Sequence, residues 1–578
     1  MRPKKALLAC DAVDFCALSQ FPLLENTLPR YLKELYYTSV FNFQNVSPQC
    51  FSCVGKLQEF VCFNQISSRS RFSKSSIRGF CSAGNGAGSI PLTQPLPGIP
   101  TPVYAVVSSD DDTHETHITT LDNGMRVASL NKFGQFCTVG VVIDSGSRYE
   151  IDYIKGISHF LEKTAFGVTD KFESRDHILQ ELERFGGICD CQSSRDTLIY
   201  GVSADTKGLP EVIHLLSDAV FKPKLTQSEM EDAMMSINFE LENMDMMPIP
   251  APTLTELIHA AAFRGNTLGL PKYCPERNIS RIDQKTLYHY LNNHHKPERM
   301  VLAGVGMEHN KLVEHAQKYF GNIQPSWQQP EIIAMGNRLD GSVSQYTGGI
   351  STLNKDMSNI APGTPIPELA HFVLGLESCS HKDDDFLPFA VLNTLMGGGD
   401  SFSAGGPGKG MYTRLYLNVL NRCHYMYSAV AANHAYEDGG LFCIQASAHP
   451  SKLKDVVEAL VKEFVNLTAP ISDVELSRAK RQLQSMLMMN LESRAIVFED
   501  IGRQVLSNNE RKQPEEYIDL IGKVTVEDIQ RVAFRMLHSK PSVAAVGDLK
   551  MLPNYEDIQA ALVSKDGKLP WKFPLFGR

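Results

Sequence analysis

Two stretches, residues 295–306 (HKPERMVLAGVG) and 538–547 (HSKPSVAAVG), carry one pattern about 240 residues apart. In each, a helix-like segment ends in histidine, lysine and proline, and a short apolar run closing on glycine follows. Proline does not continue a helix, and a short apolar run bounded in this way is typical of a buried strand. The repeat predicts two domains of one architecture; the alternative is two unrelated domains that share a common helix–strand ending.

The order of predicted elements is the same in both halves of the chain. Alternating and β-branched runs predict strands at residues 137–143, 198–204, 300–305, 368–377, 426–432 and 441–447. Apolar residues at helical spacing predict helices at 209–221, 227–243, 386–396, 453–465 and 473–491. The expected fold class is α+β: two homologous domains, each a mostly antiparallel sheet packed with helices, joined by a linker.

Composition divides the chain into segments. We predict a mitochondrial leader at 1–80, a Gly- and Pro-rich linker at 81–115, a first domain at 116–326, an interdomain linker at 327–366, a second domain at 367–565 and a tail at 566–578. The leader prediction depends on residues 67–80 (SSRSRFSKSSIRGF), inside a stretch from 60 to 109 without Asp or Glu. Transit segments are rich in Arg and Ser and poor in acids. The alternative is a basic tail without targeting value, because residues 1–59 do contain acids.

Charge and hydropathy exclude several classes of protein. The chain has 578 residues and a formal net charge of −9, which argues against a nucleic-acid partner and suits a basic one. No stretch offers the roughly 20 apolar residues that a transmembrane helix needs. Of the thirteen cysteines, six lie at or before position 81 and the rest follow no regular spacing, which indicates reduced thiols.

The octapeptide at 156–163 (GISHFLEK) is one residue away from a zinc motif. In the inverted motif H-x-x-E-H, two histidines at i and i+4 share a helical face and bind Zn²⁺, and the glutamate accepts a proton from the bound water. His159 and Glu162 are in place, but Lys163 stands where the second histidine belongs. A lysine ammonium has no lone pair for a metal. We therefore predict a degenerate motif without metal and without catalytic residues, and Glu240 or Glu242 as the remnant of a third ligand.

A glycine-rich segment at 396–411 (MGGGDSFSAGGPGKGM) is the second candidate feature. It is not a phosphate-binding P-loop, because Lys409 is followed by Gly410 instead of Ser or Thr. It is not a dinucleotide-binding loop either, because a helix, not a strand, is predicted before it. Dense glycine predicts a mobile segment that can approach a ligand closely. A solvated loop without function is the alternative.

Taken with residues 144–150 (DSGSRYE), 186–188 (GGI) and 194–200 (SRDTLIY), these motifs resemble the pitrilysin-type (M16) metallopeptidase family over about 116–565. Lys163 and the long glycine-rich segment are similar to noncatalytic subunits of that family. The resemblance implies no cofactor in this chain and a heterodimer with a catalytic β subunit that holds Zn. It also implies that the segment binds presequences of imported mitochondrial precursors, through Gly397, Gly398, Gly399, Asp400, Ser401, Phe402, Ser403, Gly405, Gly406, Gly408, Lys409 and Gly410.

Two other functions share the predicted fold. One is a structural core subunit of the respiratory ubiquinol–cytochrome c reductase, and the other is an independently active metallopeptidase with unusual ligands. The expected location is the mitochondrial matrix, with a peripheral association with the inner membrane left open. Carboxylates that would suit a basic presequence in the second half are Glu377, Asp383, Asp384, Asp385, Glu437 and Asp438.

Overall fold

A computed structural model describes residues 115–336, 339–358, 367–401 and 410–570. The predicted leader at 1–80 lies outside these residues. So do residues 81–114 of the first predicted linker, 337–338 and 359–366 of the second, and 571–578 of the tail. The segment boundaries given above stay predictions. No helix in the described ranges is long and apolar enough to cross a membrane.

The first half forms a six-stranded sheet, sheet 1, in the order β1-β2-β6-β3-β5-β4. Its strands are β1 (Thr116–Thr120), β2 (Arg126–Leu130), β3 (Phe136–Ile143), β4 (Ile188–Ser193), β5 (Leu198–Asp205) and β6 (Met300–Val305). Only β2 and β6 run parallel, and the other neighbours are antiparallel. Within the described part of the first half, the α-helices are α1 (Ile157–Lys163), α2 (Arg175–Glu183), α3 (Leu209–Phe221), α4 (Gln227–Met246), α5 (Ala251–Ala262), α6 (Glu276–Ile279), α7 (Gln284–His294), α8 (His309–Phe320) and α9 (Pro330–Ile333).

The second half forms sheet 2, in the order β7-β12-β8-β11-β10-β9. Its strands are β7 (Gly349–Asn354), β8 (Ala370–Glu377), β9 (Gly398–Asp400), β10 (Met426–Ala435), β11 (Gly440–Ala448) and β12 (Ser542–Gly547). The α-helices are α10 (Phe386–Met396), α11 (Leu453–Val465), α12 (Asp473–Asn490), α13 (Arg494–Asn508), α14 (Pro514–Lys523), α15 (Val526–Leu537) and α16 (Tyr555–Val563). A π-helical turn at Leu415–Leu420 precedes β10.

The internal repeat is confirmed by the strand directions. β7 and β12 are parallel, as β2 and β6 are, and the strands that follow outward are antiparallel in both sheets. The repeated apolar runs are β6 and β12, which therefore hold the same place in the two sheets. Two strands break the correspondence: β1 is extra in sheet 1, and β9 is extra in sheet 2, beyond β10. The predicted α+β class, with mostly antiparallel sheets, is confirmed.

The two halves exchange one helix each. Successive residues of a strand face opposite sides, so each sheet has two apolar faces to cover. One face of sheet 1 packs under its own helices, while Val142 and Ala303 on the other face pack against Phe498 of α13 from the second half. In return, Ile258 of α5 packs against Val373 and the other face of sheet 2. Because each sheet needs a helix from the other half, the two halves share one folded body.

Glycines on both sides of this contact, one in sheet 1 and one in α13, allow the exchanged helix to approach the sheet closely. A Cβ on Gly140 would lie 2.7 Å from a ring carbon of Phe498, so only glycine fits there without a shift. Gly502 lies against Val142 in the same way. The sequence patterns predicted the strand at 137–143 but neither the helix α13 nor its crossing to the other half.

Candidate functional site

Helix α1, which carries the degenerate motif, begins at a buried cap. Gly156 has φ +110°, and its N–H donates to Glu150 Oε2 at 2.6 Å. The Ser158 N–H donates to Glu150 Oε1 at 2.7 Å, so one carboxylate satisfies two free amides of the first turn. Burial raises the pKa of Glu150 to about 7, against the lowering effect of these two hydrogen bonds. This cap positions His159, Glu162 and Lys163.

His159 is held in one tautomer. Its side chain is 1% exposed, and its Nδ1 accepts the Cys274 N–H at 3.2 Å. A backbone N–H cannot accept, so Nδ1 carries no proton and the neutral ring is protonated on Nε2. Nε2 lies 3.0 Å from Glu240 Oε2 on α4 and donates to it. The ring atom that would face a metal is thus already engaged.

Lys163 lies between two carboxylates. Its Nζ is 2.7 Å from Glu240 Oε2 and 3.2 Å from Glu162 Oε1. The other oxygen of Glu162 accepts the N–H of Ser193 at 3.0 Å and its hydroxyl at 2.5 Å. We call His159, Glu162, Lys163 and Glu240 the ion cluster. It ties α1 to α4 and to the edge strand β4.

Charge pairing dominates the ionisation of this cluster. Burial by itself raises the pKa of Glu240, but the hydrogen bond from His159 and the charge of Lys163 outweigh it and bring the pKa down to about 2. Burial likewise opposes the charge of Glu162, whose pKa is nevertheless lowered by Lys163 and Lys272. The pKa of Lys163 is raised, since the two carboxylates outweigh its burial. Lys163 is therefore an ammonium and both glutamates are carboxylates.

The cluster offers no vacant ligand set. Glu240 Oε2 is shared between His159 and an ammonium, and Glu162 is bonded at both oxygens. Within the described ranges, no group of three or more His, Cys, Asp or Glu side chains is arranged to hold a metal ion. Of the two predicted remnants of a third ligand, Glu240 lies in the cluster and Glu242 is exposed.

Sequence patterns missed the residues that support the cluster. Ser193 and the Cys274 amide bond its members directly, and Lys272 lies close enough to affect Glu162. Burial lowers the pKa of Lys272 despite the nearby carboxylates of Glu162 and Glu256. Ser193 sits next to the quoted 194–200 motif, which was the one available signal. Cys274 comes from a loop 115 residues further along the chain than His159, and no local pattern marks it.

The glycine-rich segment starts as the outer strand of sheet 2. β9 pairs antiparallel with β10, the Ala431 N–H donates to Gly397 O at 2.9 Å, and the Ser401 N–H donates to Tyr427 O at 2.9 Å. Gly397 and Gly398 have φ +54° and +99°. A Cβ on Gly398 would collide with the carbonyl oxygen of Ala429.

Residues 397–401 are thus paired and packed at the edge of sheet 2, which differs from the loop that dense glycine predicts. Their glycines serve a close approach of two backbones. Gly410, at the other end, lies beside Gln482. Six of the predicted binding residues, Phe402, Ser403, Gly405, Gly406, Gly408 and Lys409, lie outside the described residues. As presequence-binding residues, all twelve stay predictions.

Most of the carboxylates considered for a basic substrate are already paired. Asp385 bonds Arg531 and Arg535, Asp383 lies 3.4 Å from Arg535, and Glu437 lies 2.7 Å from Lys382. Asp438 holds the nearly buried Arg148 of the first half at 2.5 Å, and its pKa is lowered by that guanidinium against the effect of burial. These side chains stabilise the fold, which leaves less charge for a ligand.

Two models of known protein families match this chain. A family model described as Insulinase (Peptidase family M16) matches residues 126–276, and one described as Peptidase M16 inactive domain matches residues 281–483. The first contains the whole ion cluster. The second spans β9 and the glycine-rich segment.

Curated relatives match over most of the chain. The protein named mitochondrial-processing peptidase subunit alpha from Homo sapiens is 57% identical over 510 residues, which cover 88% of this chain and 96% of the relative. The proteins of that name from Caenorhabditis elegans and Neurospora crassa are 43% and 35% identical and cover 78% and 79% of this chain, and 88% and 90% of their own lengths. The chain therefore belongs to the M16 peptidase family, among relatives that carry the name mitochondrial-processing peptidase subunit alpha.

Proposed function

We propose that this chain is the noncatalytic, substrate-recognition subunit of a mitochondrial processing peptidase. In this role it binds basic presequences of imported precursors and presents them to a zinc-bearing β subunit, which cleaves them. The observation that carries the proposal is Lys163, whose ammonium lies within ion-pair distance of both Glu162 and Glu240. A peptidase of this family needs a metal with an open position at that place.

The chemistry of the ion cluster argues against catalysis by this chain alone. Hydrolysis would require a metal-activated water and a free carboxylate to take its proton. Glu162 Oε1 is paired with Lys163, and Oε2 accepts two hydrogen bonds from Ser193. A lowered pKa also makes Glu162 a weaker base. The cluster is suited to holding α1, α4 and β4 together.

The names of the relatives support the remaining parts of the proposal. Each is called a subunit of a mitochondrial-processing peptidase, which supports a partner chain and a mitochondrial location. The leader prediction agrees with that location, and we propose the matrix. The glycine-rich segment, residues 396–411, is the proposed contact for the presequence, because it contains β9, which lies at an outer edge of sheet 2.

The test is reconstitution with and without a zinc-bearing β-type subunit. A presequence peptide carrying a fluorophore and a quencher reports cleavage. We expect no cleavage by the isolated chain with added Zn²⁺, cleavage by the pair, and no measurable zinc in the isolated chain by mass spectrometry. Zinc-dependent cleavage by the isolated chain would overturn the proposal.

A second experiment tests the glycine-rich segment with a variant of this chain. Residues 402–409 are replaced by a short Ser-Gly connection, while 397–401 are kept so that β9 is preserved. The pair should still assemble, but its cleavage of the peptide should fall. Unchanged cleavage by an assembled pair would show that the segment does not handle the substrate.

A further inference from the structure

Helix α4 has an unusual charge distribution. Its 20 residues, QSEMEDAMMSINFELENMDM, include six carboxylates and no lysine or arginine. Two carboxylates serve the fold: Glu229 forms the capping box with Thr226, and Glu240 belongs to the ion cluster. The others include Glu231, Asp232 and Glu242, all on exposed positions. Glu231 accepts a hydrogen bond from the neutral amide of Gln227 at 2.9 Å.

The same exposed side of α4 carries large apolar groups. Met235 is 63% exposed and Met246 is 57% exposed. They are eleven residues apart, which places them within about 20° of each other around the helix and about 16 Å apart along it. At 100° per residue, Glu231 and Glu242 flank this line on one side and Asp232 on the other. We call these five residues the α4 ridge.

The ridge is held firmly by the opposite side of the helix. On that side of α4 the buried residues are Met230, Ala233, Ile237 and Met244. The N-terminus is capped by Thr226, and Glu240 anchors the middle of the helix to His159 and Lys163. The ion cluster therefore stabilises the position of the helix that carries the exposed methionines and carboxylates. A preformed surface of this kind loses little conformational entropy on binding.

We propose that the α4 ridge is a docking surface for the basic, amphipathic part of a presequence. Presequences are amphipathic, rich in arginine and poor in acids. Their apolar side chains would cover the two methionines, and their arginines would meet the flanking carboxylates. Methionine suits varied partners because its side chain is flexible and polarizable. The proposal rests on the proposed function and adds a second contact, on the first half of the chain, to the glycine-rich segment of the second half.

Other occupants fit the charges less well. A second copy of this chain would bring the same carboxylates against each other. Nucleic acid and anionic lipid headgroups carry negative charge and would be repelled in the same way. A basic peptide is the one class in which both the apolar and the charged parts of the ridge gain contacts.

The test measures peptide binding by fluorescence anisotropy. The probe is a fluorescein-labelled copy of residues 67–80 of this chain, which has four basic residues, no acid and three large apolar side chains. Met235→Gln with Met246→Gln removes the apolar groups, and Glu231→Gln with Asp232→Asn and Glu242→Gln removes the charges. Because all five side chains are exposed, both variants should fold, as their melting temperatures will show. Met488→Gln with Met489→Gln, exposed on α12, is the matched control.

We expect each ridge variant to raise the Kd about tenfold, equal to ~1.4 kcal/mol, and the control to bind like the parent. The charge variant should also lose most of the dependence of Kd on salt. Unchanged Kd in both ridge variants would overturn the inference and leave the proposed function standing. Normal peptide binding with lost assembly onto the β subunit would overturn it too, since the ridge would then be a subunit contact. A parent protein that does not bind the peptide would remove the proposed function, and this inference with it.

Discussion

The edge of sheet 1 at β4 corresponds to the edge of sheet 2 at β10, but the two edges are stabilised by different interactions. In sheet 1, β4 is the last strand, and the ion cluster is tied to it through Ser193. In sheet 2, the matching strand β10 is covered by β9, whose glycines allow two backbones to approach closely. One edge depends on paired charges and the other on the absence of side chains. A duplicated architecture can therefore carry two unrelated local solutions.

The largest effect should come from acid, and here the two halves should agree. Buried, uncharged histidines lie in both: burial lowers the pKa of His294 and His295 to about 3, and of His371 and His434 to about 4. The unfolded chain takes up these protons near the ordinary histidine pKa, while the folded chain does not. Stability is therefore complete above about pH 6.5 and falls as pH drops from there, by up to about 1.4 kcal/mol per pH unit for each histidine.

The measurement is the free energy of unfolding in urea at pH 7.5, 6.5 and 5.5. Glu150 opposes the trend, because its raised pKa lets the folded chain hold a proton below about pH 7, but we expect the four histidines together to outweigh it. Glu240, with a pKa of about 2, should contribute nothing to the loss above pH 4.5. A stability that stays constant or rises down to pH 5.5 would contradict this prediction.

Gly398→Val should disrupt the edge of sheet 2. The new side chain would collide with the Ala429 carbonyl at a φ of +99°, at a cost of roughly 3 kcal/mol to the paired state of β9. Hydrogen exchange at the Ser401 and Ala431 amides should speed up, since both bond across this pair. Gly341→Val is the control, because no atom lies within 4 Å of a Cβ there. Equal protection in parent and variant would show that β9 does not depend on close packing.

Lys163→Met should weaken the edge of sheet 1. It leaves Glu162 and Glu240 facing each other, largely buried, without their cation, and we expect a loss of roughly 2 kcal/mol in the free energy of unfolding. Lys550→Met removes a lysine from a solvent-exposed pair with Asp548 and should change little. If both variants melt alike, the ion cluster is not what holds α4 in place.

Lys163→His should have the smallest effect, and it tests whether the missing second histidine is what prevents zinc binding. It restores the H-x-x-E-H spacing beside Glu240, so added Zn²⁺ should stabilise the variant by about 1.4 kcal/mol at ten times its Kd. Thermal melting with and without Zn²⁺ measures this, with Lys163→Met as the variant that should not respond. Peptidase activity need not return with the metal. An absence of any zinc response would mean that the helices no longer bring the ligands within reach.

Local patterns predicted many elements of each half, but not α5, α13 or β9. The helix–strand repeat, the antiparallel strands and the helix that carries residues 159–163 follow from apolar periodicity and from proline and glycine at the boundaries, which act over a few residues. The missing ligand at Lys163 is likewise visible in the sequence, because an ammonium cannot bind a metal in any fold.

Only the tertiary structure decided which distant groups meet. Glu240 and Glu242 look alike in the sequence, but residues two apart on a helix point about 200° from each other, so one faces α1 and the other faces solvent. The exchange of α5 and α13 between the halves, and the addition of β9 to β10, depend on packing across hundreds of residues. The periodicity of apolar residues predicts that a face of an element is buried. Which other element covers that face depends on packing in the whole fold.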